Sequence, residues 1–225
     1  MKTATSALLL AAVLTTASLL HGVAPAHASP GASAAVAGDD APATLALGRG
    51  APLADTPMKS VDGGDVSIAK AAGKNGTLVI FMCNHCPWVK AWQTRIASIG
   101  NDAVARGVGV IAVNSNDPAQ FPEDDFDSMK RQADALGLKF PYVVDATSDV
   151  GRAFGATRTP EAFLFDAKGK LVYHGTVDDN ARNEQAVAKT WLRDAVTAVA
   201  AGKRVPVAET KAFGCGIKLR AKSST

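Results

Sequence analysis

The sequence predicts an α/β domain in which a mixed sheet is covered by helices on both faces. Three observations predict it. Thr77-Leu78-Val79-Ile80-Phe81-Met82 is a continuous apolar, partly β-branched run, as a strand buried on both faces requires. Pro87 follows at once, with Val89, Trp92, Ile96 and Ile99 at steps of three and four, so this strand feeds straight into a helix. Further on, apolar runs alternate with helical patterns and close on an antiparallel hairpin and an amphipathic helix.

Residues 1–28 are set aside before the elements, because they read as a cleavable signal peptide. Lys2 supplies the basic n-region, Ala7 to Leu20 the apolar h-region, and Ala26-His27-Ala28 a small-x-small cleavage site, with the cut between Ala28 and Ser29. The h-region is short for a membrane span and is interrupted by Thr15, Thr16 and Ser18, so no membrane span is expected after cleavage. The mature chain, residues 29–225, is expected to be periplasmic or secreted. Residues 29–45 are rich in Ala, Gly, Pro and Ser without apolar periodicity and read as a flexible leader; one domain, 46–225, follows.

Within that domain Met58 to Ile68 reads as a hairpin around Asp62-Gly63-Gly64. The helix opening at Pro87 runs to about Asp102, and Val108 to Val113 is a second buried strand. Phe126 to Leu136 is a helix with acidic residues ahead of Lys130 and Arg131, as its dipole prefers, and Gly137 stops it. Tyr142 to Val144 reads as a short strand and Asp149 to Phe154 as a short helix. Ala162 to Phe165 and Leu171 to Tyr173 form a hairpin across Asp166-Ala167-Lys168-Gly169, and the last helix covers roughly Glu184 to Ala200.

Charge excludes more than it suggests. The net charge of +3 falls to +2 without Lys2, too slight for a nucleic-acid or anionic-membrane partner. Three cysteines are too few for a disulfide-stapled miniprotein, but Cys83 and Cys86 are spaced C-x-x-C. They fall between strand and helix, where unpaired N–H groups and the dipole favour an anion such as a thiolate. On sequence position Cys83 is the attacking thiol and Cys86, one turn inward, the resolving one. His85 adds a potential cation that would tune the pair, or is an exposed loop imidazole of no consequence. Cys83–Cys86 as an inert bridge, or as half of a metal site, is the competing reading. No second C-x-x-C and no H-x3-5-H accompanies it, so no metal is assigned, although thiolates plus a histidine would suit copper or zinc.

Thr159-Pro160 immediately precedes the strand at Ala162, a place for a proline that cannot donate to a sheet. C-x-x-C at a strand-helix junction together with this proline resembles a thioredoxin-fold active site. The resemblance implies a cis-proline loop beside the thiols, with Thr159 and Pro160 as the substrate-docking edge. Residues from about Gly48 to Lys218 further resemble the peroxiredoxin-like redoxins of the thiol-specific antioxidant superfamily. The residues that carry this are Asn84-His85-Cys86-Pro87, Pro122-Glu123-Asp124-Asp125, Thr159-Pro160-Glu161, Phe163-Leu164-Phe165-Asp166, Tyr173-His174-Gly175, Asp178-Asp179-Asn180 and Gly214-Cys215-Gly216-Ile217-Lys218. That resemblance implies an exported enzyme exchanging a Cys83–Cys86 dithiol or disulfide with protein thiols and an unidentified redox partner, without an organic cofactor.

A true peroxiredoxin would carry a threonine three residues before its peroxidatic cysteine and a proline four residues earlier. Ile80 and Gly76 stand there for Cys83, and Cys83 and Val79 for Cys86, so thiol peroxidase is a secondary alternative. Cys215 is an odd thiol, read as a small core residue, an additional redox thiol able to reach the pair, or an intermolecular link. Asp178, Asp179 and Asn180 read as a turn before the last helix, Glu123 to Asp127 as a solvated helix start, and Trp88 and Trp92 as core or groove wall.

Overall fold

The computed structural model describes residues 43–222. The signal peptide and cleavage site expected over residues 1–28, and the leader as far as residue 42, lie outside the described residues. From Leu45 the chain is already tied down, its N–H donating to Phe154 O at 2.9 Å.

Nine strands and four α-helices follow, joined by two short 3₁₀ turns. Strands β1 (Met58–Ser60) and β2 (Asp65–Val66) form the expected hairpin around Gly63 and Gly64. Strand β3 (Gly76–Phe81) leads into helix α1 (Pro87–Ala105), then β4 (Val108–Asn114), α2 (Phe126–Leu136), β5 (Tyr142–Val144) and α3 (Asp149–Phe154). The two-residue β6 (Arg158–Thr159) precedes β7 (Glu161–Asp166), β8 (Leu171–Gly175), α4 (Trp191–Ala200) and β9 (Cys215–Gly216). One ladder runs β2-β1-β5-β4 and another β3-β7-β8. They meet where β3 lies beside β4, Met82 N donating to Val113 O at 3.0 Å. Parallel pairing of β4 with β5 and antiparallel pairing of β3 with β7 make the sheet mixed.

The apolar run of β3 divides by the period of two that a pleated strand imposes. Leu78, Ile80 and Met82 face one core, shared with α1, α4 and Tyr142; Val79 and Phe81 face the other, against α3. In that second core Phe81, Phe154, Phe163 and Phe165 pack edge to face, with ring centroids 5.1 to 6.1 Å apart. Both faces are therefore covered, as the unbroken run requires. Helix α2 starts where Asp125 accepts from Ser128 N at 2.7 Å and stops at Gly137, whose φ of 59° is the left-handed cap.

The final helix departs from expectation. It begins at Trp191, not near Glu184. Asn183 accepts from Gln185 N and closes a separate turn over Glu184–Ala186. Asp179 then takes Ala188 N through its carboxylate at 3.0 Å and donates its own N–H to Lys189 O, which holds the intervening chain out of helical geometry. Strands β6 and β9, too short for any periodicity to declare, also lay outside the sequence reading. No helix among the described residues is long and apolar enough to cross a membrane.

Candidate active site

The site is built where β3 ends. After Phe81 the chain leaves the sheet, and residues 82–86 bridge to α1, with Cys86 as the helix N-cap in extended geometry and Pro87 at its first position. Both Cys83 and Cys86 are fully enclosed at 0 % exposure. Opposite them lies the Thr159–Pro160 bond, which is cis. Cys83 Sγ is 3.3 Å from Thr159 Oγ1, and Cys86 Sγ is 3.2 Å from Thr159 O. The thiols and the proline loop expected at the site are thus in direct contact, although 73 residues or more separate them in sequence.

Cys215 joins them. Strand β9 pairs antiparallel with β6, in register Thr159↔Cys215 and Arg158↔Gly216. Cys215 is half-buried and packs against the core that holds Cys83 and Cys86, and its thiol and backbone N–H act to lower the Cys86 thiol. Gly214 is required here: a Cβ on it would lie 2.0 Å from Thr159 O. The proline-loop edge anticipated as free for an incoming chain is occupied by this chain's own β9.

Within the pair the surrounding groups lower the Cys86 thiol and raise that of Cys83. The Cys83 thiol donating to it, together with donors from Cys215 and Val89 N–H at the helix end, outweighs burial and holds Cys86 down to about 4. Cys83 moves well up from the ordinary thiol value, through that same hydrogen bond, burial, and the negative charge of Asp124. The Thr159 carbonyl opposes a charge on Cys86, but it is one acceptor against several donors.

Asp124 is the group that sequence reasoning misplaced. Expected on a solvated helix start, it is 3 % exposed. Its Oδ1 accepts from Asn84 N at 2.7 Å and His85 N at 3.0 Å, and its Oδ2 takes Asn116 Nδ2 at 2.7 Å and pairs with His85 Nδ1 at 2.5 Å. Asn84 in turn accepts from Tyr142 Oη and donates to Glu123 O. This one carboxylate shapes the whole loop between the cysteines. The signal available in sequence was the crowding of four acids within five residues, Glu123 to Asp127, more than a dipole needs.

His85 stacks on Phe121 at 4.1 Å between ring centroids and is held to Asp124. Ligand atoms of Cys83, His85 and Asp124 lie within 4.8 Å of one another, the set that could hold a metal ion. Within that set His85 Nδ1 and Asp124 Oδ2 pair with each other, and Cys83 Sγ lies against Thr159 Oγ1. Behind the proline loop, Glu161 is buried; it accepts from Thr157 N and Arg158 N at 2.8 Å each and meets His174 Nε2 at 2.7 Å. Asp178, read as a turn residue, is 6 % exposed and accepts from Trp92 Nε1 at 2.7 Å and Arg95 at 2.5 Å. Trp88, Trp92 and Phe213 wall a groove of about 490 Å³ beside this pair.

A strand delivering two cysteines to a helix start, a cis-proline facing them, and a β7–β8 hairpin closed by α4 define a thioredoxin-fold protein. Residues 37–192 match the Redoxin family, and the chain belongs to it. A hypothetical protein of Sinorhizobium meliloti is 36% identical, with a TM-score of 0.72 over 79% of this chain and 97% of that one. An uncharacterised conserved protein of Geobacillus kaustophilus is 37% identical, also at TM-score 0.72, over 81% and 96%. The thiol-disulfide oxidoreductase ResA of Halalkalibacterium halodurans is 26% identical over 115 residues, 51% of this chain and 61% of that protein. The alignment thus spans under two thirds of this curated relative.

Proposed function

We propose that this chain is an exported thiol-disulfide oxidoreductase that exchanges a Cys83–Cys86 dithiol or disulfide with protein thiols. The observation that carries the reading is the contact of both sulfurs, at the start of α1, with the cis-proline loop. A thiolate is the form that attacks a disulfide. The lowering of the Cys86 thiol favours exchange through Cys86 with Cys83 closing the bridge, and the order read from sequence position, with Cys83 attacking, is the alternative that the test separates. Thr159 and Pro160 orient the chain that bears the exchanging thiol, and His85, held by Asp124, shapes the loop between the cysteines. The likeness to ResA supports the reaction class. Export rests on the signal-peptide pattern of residues 1–28.

The test is a redox titration of the mature protein in graded glutathione buffers, with acid quenching, alkylation and mass mapping. Reversible two-electron exchange at Cys83–Cys86 is expected, and its midpoint gives the direction of electron flow. The double variant Cys83→Ser/Cys215→Ser is expected to accumulate a mixed disulfide with glutathione at Cys86. A pair that never exchanges overturns the reading, and a mixed disulfide that collects only on Cys83 in Cys86→Ser restores the opposite order.

A second reading follows from the cluster of Cys83, His85 and Asp124 within 4.8 Å: a copper or zinc site. Stoichiometric metal in the reduced protein, lost in Cys83→Ser, would establish it.

A further inference from the structure

Cys83 and Cys86 are fully enclosed, so a pair meant to exchange with other proteins has no open sulfur. The third thiol has the access they lack. Cys215 is half-buried on a two-residue edge strand, packed against the core that holds the pair and directly opposite Thr159, whose carbonyl contacts Cys86 Sγ at 3.2 Å. Strand β9 lies along the proline loop in the manner expected of a substrate's extended chain, and it presents a cysteine there.

Resting on the redox reading of the pair, we propose that β9 is a built-in substrate strand and that Cys215 relays disulfides between the enclosed Cys83–Cys86 pair and a partner thiol. Starting from oxidised protein, the Cys215 thiolate attacks Cys86 Sγ. The Cys83–Cys86 bond breaks, Cys83 leaves as a thiolate, and a Cys86–Cys215 bond forms. A partner thiolate then attacks Cys215 Sγ, joins it in a mixed disulfide, and releases Cys86 as its stabilised thiolate. A second thiol on the partner displaces Cys215. The partner dithiol has lost two electrons and two protons and the pair has gained them; the reverse sequence reduces a partner disulfide.

Three observations support the relay. Gly214 has no room for a Cβ against Thr159 O, so the segment is seated at contact distance and in one register. The ladder that holds β9 to β6 is only two residues long, so moving Cys215 by an ångström costs little backbone pairing. Cys215 is itself held up, to about 11, by burial first and then by Cys86, whereas Lys218 and Trp88 N–H act to lower it. Oxidation of the pair removes the Cys86 contribution, so Cys215 becomes a better nucleophile when there is a disulfide to attack.

The test uses the full mature chain and three readouts. In Cys83→Ser, equilibration with oxidised glutathione is expected to give an intramolecular Cys86–Cys215 bridge. In Cys215→Ser, reversible two-electron exchange at Cys83–Cys86 in glutathione buffer is expected to persist, while reduction of insulin disulfides slows about tenfold or more, since a positioned intramolecular nucleophile is lost. Gly214→Ala, which displaces β9 without touching a thiol, is expected to slow insulin reduction in the same direction. Glutathionylated Cys86 with no Cys86–Cys215 bridge in Cys83→Ser, or wild-type insulin reduction by Cys215→Ser, overturns the relay and leaves the pair's own chemistry standing. Loss of exchange at Cys83–Cys86 in the wild-type chain would instead overturn the redox reading beneath it.

Discussion

Replacing Asp124 isolates what one carboxylate does for the site. Its four partners differ in how far water can reach them. Asn84 is 8 % exposed and Asn116 1 %, whereas His85 is partly open. In Asp124→Ala the Asn84 N–H and the Asn116 amide each lose an acceptor inside the protein, at about 1–3 kcal/mol apiece. The His85 ring and N–H recover water and add about 1 kcal/mol, for a total near 4 kcal/mol. Asp124→Asn keeps a carbonyl oxygen for the two backbone N–H groups but turns an N–H₂ toward Asn116 or His85, so about 2 kcal/mol is expected. Urea unfolding of the reduced proteins checks both values, and at an m of about 2 kcal/mol/M the alanine variant shifts its midpoint by about 2 M. An Asp124→Ala midpoint within ~0.5 M of wild type, or an asparagine variant no better than alanine, would refute the argument that Asp124 is the acceptor organising this loop.

The ultraviolet thiolate absorbance of the reduced protein should hold through neutral pH and fall only as pH drops through about 4, the value to which its donors hold Cys86 down. That step should vanish in Cys86→Ser; a step near the ordinary thiol value would place the charge elsewhere. Asp178→Ala leaves the buried Arg95 guanidinium and Trp92 Nε1 without their carboxylate, and about 3–5 kcal/mol of stability should go with it, read by denaturant unfolding. Phe163→Ala opens a void among Phe81, Phe154 and His174 and should cost about 3–5 kcal/mol on the same measurement while leaving the redox midpoint of the thiols unchanged.

What could be read from the residues was whatever repeats or caps. The unbroken run at Thr77–Met82, the Pro87 helix start and the Gly137 stop each state a local rule, and each element stands where that rule put it. The C-x-x-C pair and Thr159-Pro160 were legible because a proline before a strand and two thiols before a helix are unusual locally. Asp124 was not legible as a buried hub. No local pattern says that Asn84, His85 and Asn116 will converge on its oxygens, and acids ahead of a helix have an ordinary explanation. Cys215 was visible as an odd thiol with flanking glycines, but its contact with Cys86 depends on a two-residue ladder that no periodicity announces. The start of α4 was misplaced for a related reason: Asp179 competes for the backbone of residues 188 and 189, and the competition is settled by tertiary position.

Beyond β9 the chain runs back over the molecule. Ile217 N donates to Thr157 O, Lys218 N to Asn116 Oδ1, and Arg220 N to Ser148 Oγ, so the strap is fastened to the loops around the thiols. Asn116 holds Lys218 with one end of its amide and Asp124 with the other. The order of synthesis therefore matters. The sheet and helices that carry the pair are complete by Ala200, while the covering strand emerges later. Until that strand is seated, the edge of the proline loop at Thr159 is unpaired and Cys215 is absent from its place beside the pair; seating it sets which sulfur later visitors encounter.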